Sequence, residues 1–229
     1  MLEDIFKARI PEHNINNTLP IARPGLVFVL IGLAMTLLLR LFGLNVASDV
    51  FFVLSAYTAY FFRDPDRPTP PEGFGLSPCD GRVIRIEPGA RSPLTGAEGI
   101  KVSIFMNLFS VHVNRLPVSG RLIRQEYHRG SFVNASFDKA SDKNERNALL
   151  IEEGDGTQIT VVQIAGLIAR RIVSWVAVGQ KLSRGQRFGM IRFGSRLDLY
   201  LPPDSEIMVA LGQRVSAGWS PVWRLPVGA

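Results

Sequence analysis

The chain has 229 residues, enough for one domain of ordinary size plus an appendage and for a substantial apolar core. Its 26 Lys and Arg against 20 Asp and Glu give a net charge of +6, which favours anionic partners such as an acidic lipid surface. The basic residues are scattered, with no zinc-ligand spacing, RNA-binding aromatic signature or basic heptad, so no nucleic acid is expected, and the lone Cys79 excludes an intrachain disulfide and a cysteine-based metal cluster.

Residues 1–23 are polar, and Pro11, Asn14, Asn16, Asn17 and Pro20 discourage a long helix. No small-residue cleavage site follows the first apolar run, so a cleaved signal peptide is not expected. The run 25–39 carries no charge, and after Arg40 come Leu41, Phe42, Gly43 and Leu44; a second run covers 50–62. Each is shorter than the roughly 20 residues of a comfortable membrane span. A membrane-associating helical hairpin, tight or re-entrant as readily as twice-crossing, is therefore expected within residues 1–64. Lys7, Arg9 and Arg23 before it and Arg63 and Arg67 after it put both ends on the cytoplasmic face of the cell (inner) membrane. A pair of buried helices in a soluble domain is the alternative.

Pro65, Pro68, Pro70, Pro71 and Pro78 make 65–78 read as a linker. The composition then changes to short alternating runs separated by turn residues: 82–86, 100–105, 120–127, 148–151, 158–164, 171–176, 187–193, 197–201 and 206–211. That spacing predicts a mainly β (α+β) protein whose domain 79–229 is an antiparallel or mixed β sandwich, or barrel-sandwich-like. Two stretches echo each other, 178–186 and 211–218, each with two glycines six residues apart, as paired tight turns require.

The chemistry centres on Gly194-Ser195, between the alternating runs 187–193 and 197–201. If Ser195 Oγ attacks the Gly194 carbonyl, the amide becomes an ester; eliminating it leaves dehydroalanine, which hydrolyses to a pyruvoyl group. A plain Gly-Ser turn is the competing reading. The attack needs a base, and of three histidines His13 lies in the leader and His128 follows a strand, whereas His112 is a polar centre in an apolar stretch. Asp80, before a glycine turn, is placed to fix the tautomer of His112; a simple Asp-Gly turn is the alternative.

Phe61-Phe62-Arg63-Asp64-Pro65, Ser77-Pro78-Cys79-Asp80-Gly81, His112-Val113-Asn114-Arg115, Asp138-Lys139-Ala140-Ser141 with Asn144-Glu145-Arg146, and Phe193-Gly194-Ser195-Arg196 occur in this order. From about residue 50 to the C-terminus the set resembles the short bacterial and archaeal phosphatidylserine decarboxylase proenzymes. The resemblance implies a self-processing carboxy-lyase of phospholipid biosynthesis, cut between Gly194 and Ser195 into a β chain 1–194 and an α chain 195–229. It implies a covalent pyruvoyl group made from Ser195 as the cofactor, no metal, and Asp80 and His112 assisting the cut. A Schiff base to the serine headgroup of phosphatidylserine would precede loss of carbon dioxide and release of phosphatidylethanolamine, with His112 supplying the proton. Longer members carry two nearby histidines where this chain has His112 and Arg115, so the roles of base in maturation and proton donor in turnover cannot be divided between two histidines here.

Lys139, Arg146 and Arg196 are candidate contacts for the substrate's phosphate or carboxylate. The expected partners are phosphatidylserine, an anionic membrane surface and the two chains of one precursor; a homo-oligomer is compatible with the sequence. Two other readings compete. A membrane-anchored barrel-sandwich carrier or phosphotransfer domain would use Lys181 or His112, but Lys181 lacks a Met-Lys-Met context. A Ser-His-Asp hydrolase would need a Gly-x-Ser-x-Gly elbow, which is missing around Ser195.

Overall fold

A computed structural model describes residues 15–130, 144–166, 172–191 and 195–225. They fall into two compact units, residues 16–66 and the chain from Arg67 onward.

The first unit is a helical hairpin of α1 (Arg23–Leu41) and α2 (Asn45–Phe61). Pro24 lies in the first turn of α1, where a missing N–H costs nothing. Small residues let the helices close on each other: a Cβ on Gly25 would meet the Phe62 ring at 2.3 Å, and one on Gly32 would meet Ser55 Oγ at 2.2 Å. Ser48 Oγ donates across the pair to the Thr36 carbonyl at 2.9 Å. The base is tied by Asn17 Nδ2 to Asp64 Oδ2 at 2.9 Å and by Ala22 N to the Phe62 carbonyl at 2.7 Å. Apolar side chains cover the outside of the hairpin; Leu30, Leu37 and Val53 are 64%, 63% and 64% exposed. By length and composition α1 could cross a membrane.

The second unit is antiparallel β throughout its ladders. Its strands are β1 (Gly75–Leu76), β2 (Gly81–Arg91), β3 (Glu98–Met106), β4 (Val113–Arg115), β5 (Gly120–His128), β6 (Arg146–Glu152), β7 (Gln158–Ala165), β8 (Ile172–Ser174), β9 (Lys181–Leu182), β10 (Arg187–Ile191), β11 (Ser195–Leu201), β12 (Glu206–Ile207), β13 (Arg214–Val215) and β14 (Pro221–Arg224). The mainly β expectation holds, and the ladders are antiparallel rather than mixed. The proline-rich stretch is less free than a linker: from Arg67 it belongs to this unit, and β1 pairs with β14.

An eight-stranded sheet runs β13-β2-β3-β11-β7-β6-β5-β9, flanked by β4-β10-β8 and β1-β14-β12. Its order repeats from either edge because the chain contains a duplication. Gly81-Arg82-Val83-Ile84-Arg85 opens β2 as Gly120-Arg121-Leu122-Ile123-Arg124 opens β5, with an irregularity at the same place in each. A Cβ on Gly81 would meet the Phe105 carbonyl at 2.3 Å, and one on Gly120 the Glu152 carbonyl at 2.5 Å. The two glycine stretches belong to the same repeat: Gly179 (φ 90°) donates to the Leu122 carbonyl at 2.7 Å and Gly212 (φ 82°) to that of Val83 at 2.8 Å. The pseudo-twofold passes between β11 and β7, so these two strands sit at the centre of the sheet. Val102, Ile104, Leu149, Ile151, Ile159, Val161, Leu197 and Leu199 make the main core on one face. Ala148, Leu150, Val162 and Ile164 form a smaller cluster on the other.

Candidate active site

Ser195 is the first residue of β11, fully buried, and sits opposite Met106 of β3 on one side and Ala165 of β7 on the other. Alternation along the strand puts Ser195 on the main-core face with Leu197 and Leu199. Its Oγ lies 3.9 Å from Met106 Sδ, a weak acceptor.

Just before β4, His112 is fully buried, and its carbonyl accepts from the Ile191 N–H at 3.4 Å. Ile191 ends β10 four residues ahead of Ser195, so the approach to the serine is tied to the histidine's own backbone. Segment 76–80 runs beside β4: Leu76 N donates to the Pro117 carbonyl at 3.0 Å and Arg115 N to that of Pro78 at 2.9 Å.

The Asp80 carboxylate is taken by other partners. Arg67 bonds both oxygens, Nη2 to Oδ2 at 2.8 Å and Nη1 to Oδ1, and the Ala217 N–H donates to Oδ1 at 2.8 Å. Among the described residues no hydrogen bond joins Asp80 to His112. In the other half of the repeat Ser119 stands in place of Asp80, and its Oγ accepts from Arg184 N at 3.0 Å. One of the aspartate's duties is thus the turn cap that a serine performs elsewhere; the grip by Arg67 is particular to this half.

Burial pushes the Cys79 thiol well above its ordinary value, with the Asp80 and Asp198 carboxylates adding to the rise. Cys79 is a neutral core thiol. Asn144 and Glu145 frame the end of β7 beside Ser195: Asn144 Nδ2 donates to the Ala165 carbonyl at 2.7 Å, and Glu145 Oε1 accepts from Tyr127 at 2.6 Å and Ile172 N at 3.0 Å.

Arg196 and Arg146 face away from Ser195. Both pair with Ile164 in the ladders, on the smaller-cluster face, and Arg196 Nε lies 2.8 Å from Asp198 Oδ1 with both side chains buried. That pair neutralises the Arg196 charge internally. Alternation already implied this, since consecutive strand residues point to opposite faces. Gly194 and Lys139 lie outside the described residues.

Sequence reasoning assigned no role to a line of amides on the serine's face, buried except for the partly buried Gln125. Gln163 Nε2 donates to Asn114 Oδ1 at 2.8 Å, Asn147 Nδ2 to Gln163 Oε1 at 2.9 Å, and Gln125 Nε2 to Asn147 Oδ1 at 3.1 Å. At the other end Asn114 Nδ2 lies 3.7 Å from the same Met106 sulfur that Ser195 touches. The available signal was Gln163, an amide in the alternation of Ile159, Val161 and Ala165 on the core side. No group of three or more His, Cys, Asp or Glu suited to a metal ion occurs among the described residues.

A family model described as phosphatidylserine decarboxylase matches residues 54–222. The chain is 48% identical over 205 residues to a phosphatidylserine decarboxylase proenzyme of Syntrophus aciditrophicus, covering 88% of this chain and 96% of that protein. Proenzymes of the same name from Paraburkholderia xenovorans and Aromatoleum aromaticum are also 48% identical, over 86% and 90% of this chain and 93% and 96% of their own lengths.

Proposed function

The chain belongs to the phosphatidylserine decarboxylase family, and on that premise we propose that it converts phosphatidylserine to phosphatidylethanolamine through a pyruvoyl group made from its own Ser195. The observation that carries this reading is the setting of Ser195: a fully buried serine heading the central strand β11, four residues from the Ile191 amide that bonds His112.

Maturation begins when Ser195 Oγ attacks the preceding carbonyl carbon and its proton passes to His112. The C–N bond breaks, the nitrogen takes a proton, and an ester joins residues 194 and 195. Loss of the Ser195 α-proton expels the residue-194 carboxylate and leaves dehydroalanine. This tautomerises and is hydrolysed, consuming one water and releasing ammonia. Asp80 supports His112 from the neighbouring segment, held in place by Arg67.

Residue 195 suits a small ketone: its neighbours across the sheet are Ala165 and the flexible Met106. The group supplies an electron sink for the pair released with carbon dioxide. His112 holds the proton that replaces the departing carboxylate. The C-terminal piece stays in place because β11 is laddered on both sides, to β3 and β7, and β13 and β14 pair with β2 and β1.

The exposed apolar side chains of α1 and α2 support a membrane-held enzyme at the cytoplasmic face, where its headgroup substrate is concentrated at the interface. Mass spectrometry of denatured, active protein tests the reading. The expected result is two pieces, with residues 195–229 carrying a blocked, ketone-bearing N-terminus. A single intact chain in an active preparation overturns it.

A further inference from the structure

The amide line has a direction. Every carbonyl in it accepts from the next NH₂, so the dipoles of Gln125, Asn147, Gln163 and Asn114 align head to tail and finish at Asn114 Nδ2. Aligned hydrogen bonds polarise one another, which strengthens the last donor. Among the described residues that donor meets only a thioether at 3.7 Å, while Ser195 Oγ stands 3.9 Å from the same sulfur. A strengthened, desolvated donor therefore stops short of a full partner beside the serine, with both amide atoms buried in a fully enclosed residue.

The fold does not require these amides. Overlaying the two halves of the repeat by Gly81 on Gly120, and Phe105 on Glu152, sets Gln125 on Ile86 and Asn147 on Ile100. Ile86 and Ile100 pack against the main core. Where one half of the sheet places partly buried isoleucines, the other half places the partly buried Gln125 and the buried Asn147, the latter at a desolvation cost.

We propose that Asn114 Nδ2 stabilises the negative charge that arises beside Ser195 during self-cleavage, and that Gln163, Asn147 and Gln125 are positioning residues that fix its polarity. This rests on the reading of Ser195 as the self-cleaving residue. In that step the Oγ–H proton goes to His112 as oxygen bonds to the carbonyl carbon. The carbonyl π pair moves onto its oxygen and returns when the C–N bond breaks, and the nitrogen leaves with a proton. Asn114 is unchanged throughout; its donor lowers the energy of the charged intermediate.

The test follows pulse-labelled full-length chain on denaturing gels over time, for wild type, Asn114→Ala, Asn114→Asp, Gln163→Leu, the Asn114→Ala/Gln163→Leu double variant and Ser195→Ala. Asn114→Asp keeps the shape and the acceptor for Gln163 while removing the donor, so it reads the proposal even if Asn114→Ala does not fold. Cleavage slows roughly 100- to 1,000-fold in both Asn114 variants. It slows about tenfold in Gln163→Leu, and the double variant is no slower than Asn114→Ala. In Asn114→Ala and Gln163→Leu, which introduce no titratable group, the pH at half-maximal cleavage rate stays that of wild type, because the amides they remove do not titrate. Folded Asn114 variants that cleave within about threefold of wild type, or strictly multiplicative effects in the double variant, overturn the proposal. Cleavage of Ser195→Ala would instead overturn the underlying reading of the serine.

Discussion

Arg67 closes on both oxygens of Asp80, with Nη2 to Oδ2 at 2.8 Å, and its Nη1 also reaches the Ala217 carbonyl at 2.9 Å. One guanidinium thus ties the segment before β1, the turn into β2 and the turn after β13. Arg67→Met leaves a mostly buried carboxylate with the Ala217 N–H alone. Stability is expected to fall by about 2 kcal/mol in urea titration.

Asp80 carries two duties that one substitution separates. Serine at the equivalent position, Ser119, caps its turn through Oγ, so Asp80→Ser is expected to fold and keep the cap. It should nevertheless stay uncleaved, because no carboxylate then supports His112. Normal cleavage of Asp80→Ser on a denaturing gel would reduce Asp80 to a turn cap.

Ser195→Ala and His112→Ala are both expected to remain single full-length chains without decarboxylase activity, the first for want of a nucleophile and the second for want of a base. Carbon dioxide release from Ser195→Ala would refute the pyruvoyl reading. Cleaved wild type should elute as one species from a native sizing column, since β11 lies between β3 and β7.

Glu153 supplies a pH dependence unrelated to catalysis. Burial and the nearby Asp155 push its carboxyl up to about 7, against a smaller opposing effect of Arg184. A carboxyl raised on folding favours the protonated native state. Its contribution is complete below the ordinary value of 4.5 and is lost as the pH rises through about 7. Glu153→Gln is expected to stabilise the protein at pH 8 but not at pH 4. Because the group is only half-buried, screening reduces the effect to about 1 kcal/mol, readable from paired urea titrations.

Replacing Leu30, Leu37 and Leu54, all exposed on the hairpin, by Glu is expected to abolish flotation with anionic vesicles. A charge near the bilayer centre costs about 3 kcal/mol. Self-cleavage should be unaffected, since the cutting residues all lie in the β unit. Continued flotation would mean that something other than the hairpin holds the membrane.

What the sequence determined by itself was whatever depends on neighbours along the chain. Alternation marked most long strands, uninterrupted apolarity marked α1 and α2, and glycines six residues apart marked turns whose φ values of 90°, 77°, 82° and 66° only glycine adopts easily. The ordered motifs also singled out Ser195, His112 and Asp80. The likeness of Gly81–Arg85 to Gly120–Arg124 and the placing of Arg196 on the face opposite Ser195 were legible too, through similarity and through period two. Tertiary structure alone decided the partners: Arg67 on Asp80, the Met106 sulfur between Ser195 and Asn114, and the amide line across β5, β6, β7 and β4. Short strands such as β4 and β13 also escaped notice, being too brief to show a period. The physical reason is that hydrogen bonds and ion pairs form between atoms within about 3 Å in space, and a chain of local preferences says which way each side chain can point but not which distant one will meet it.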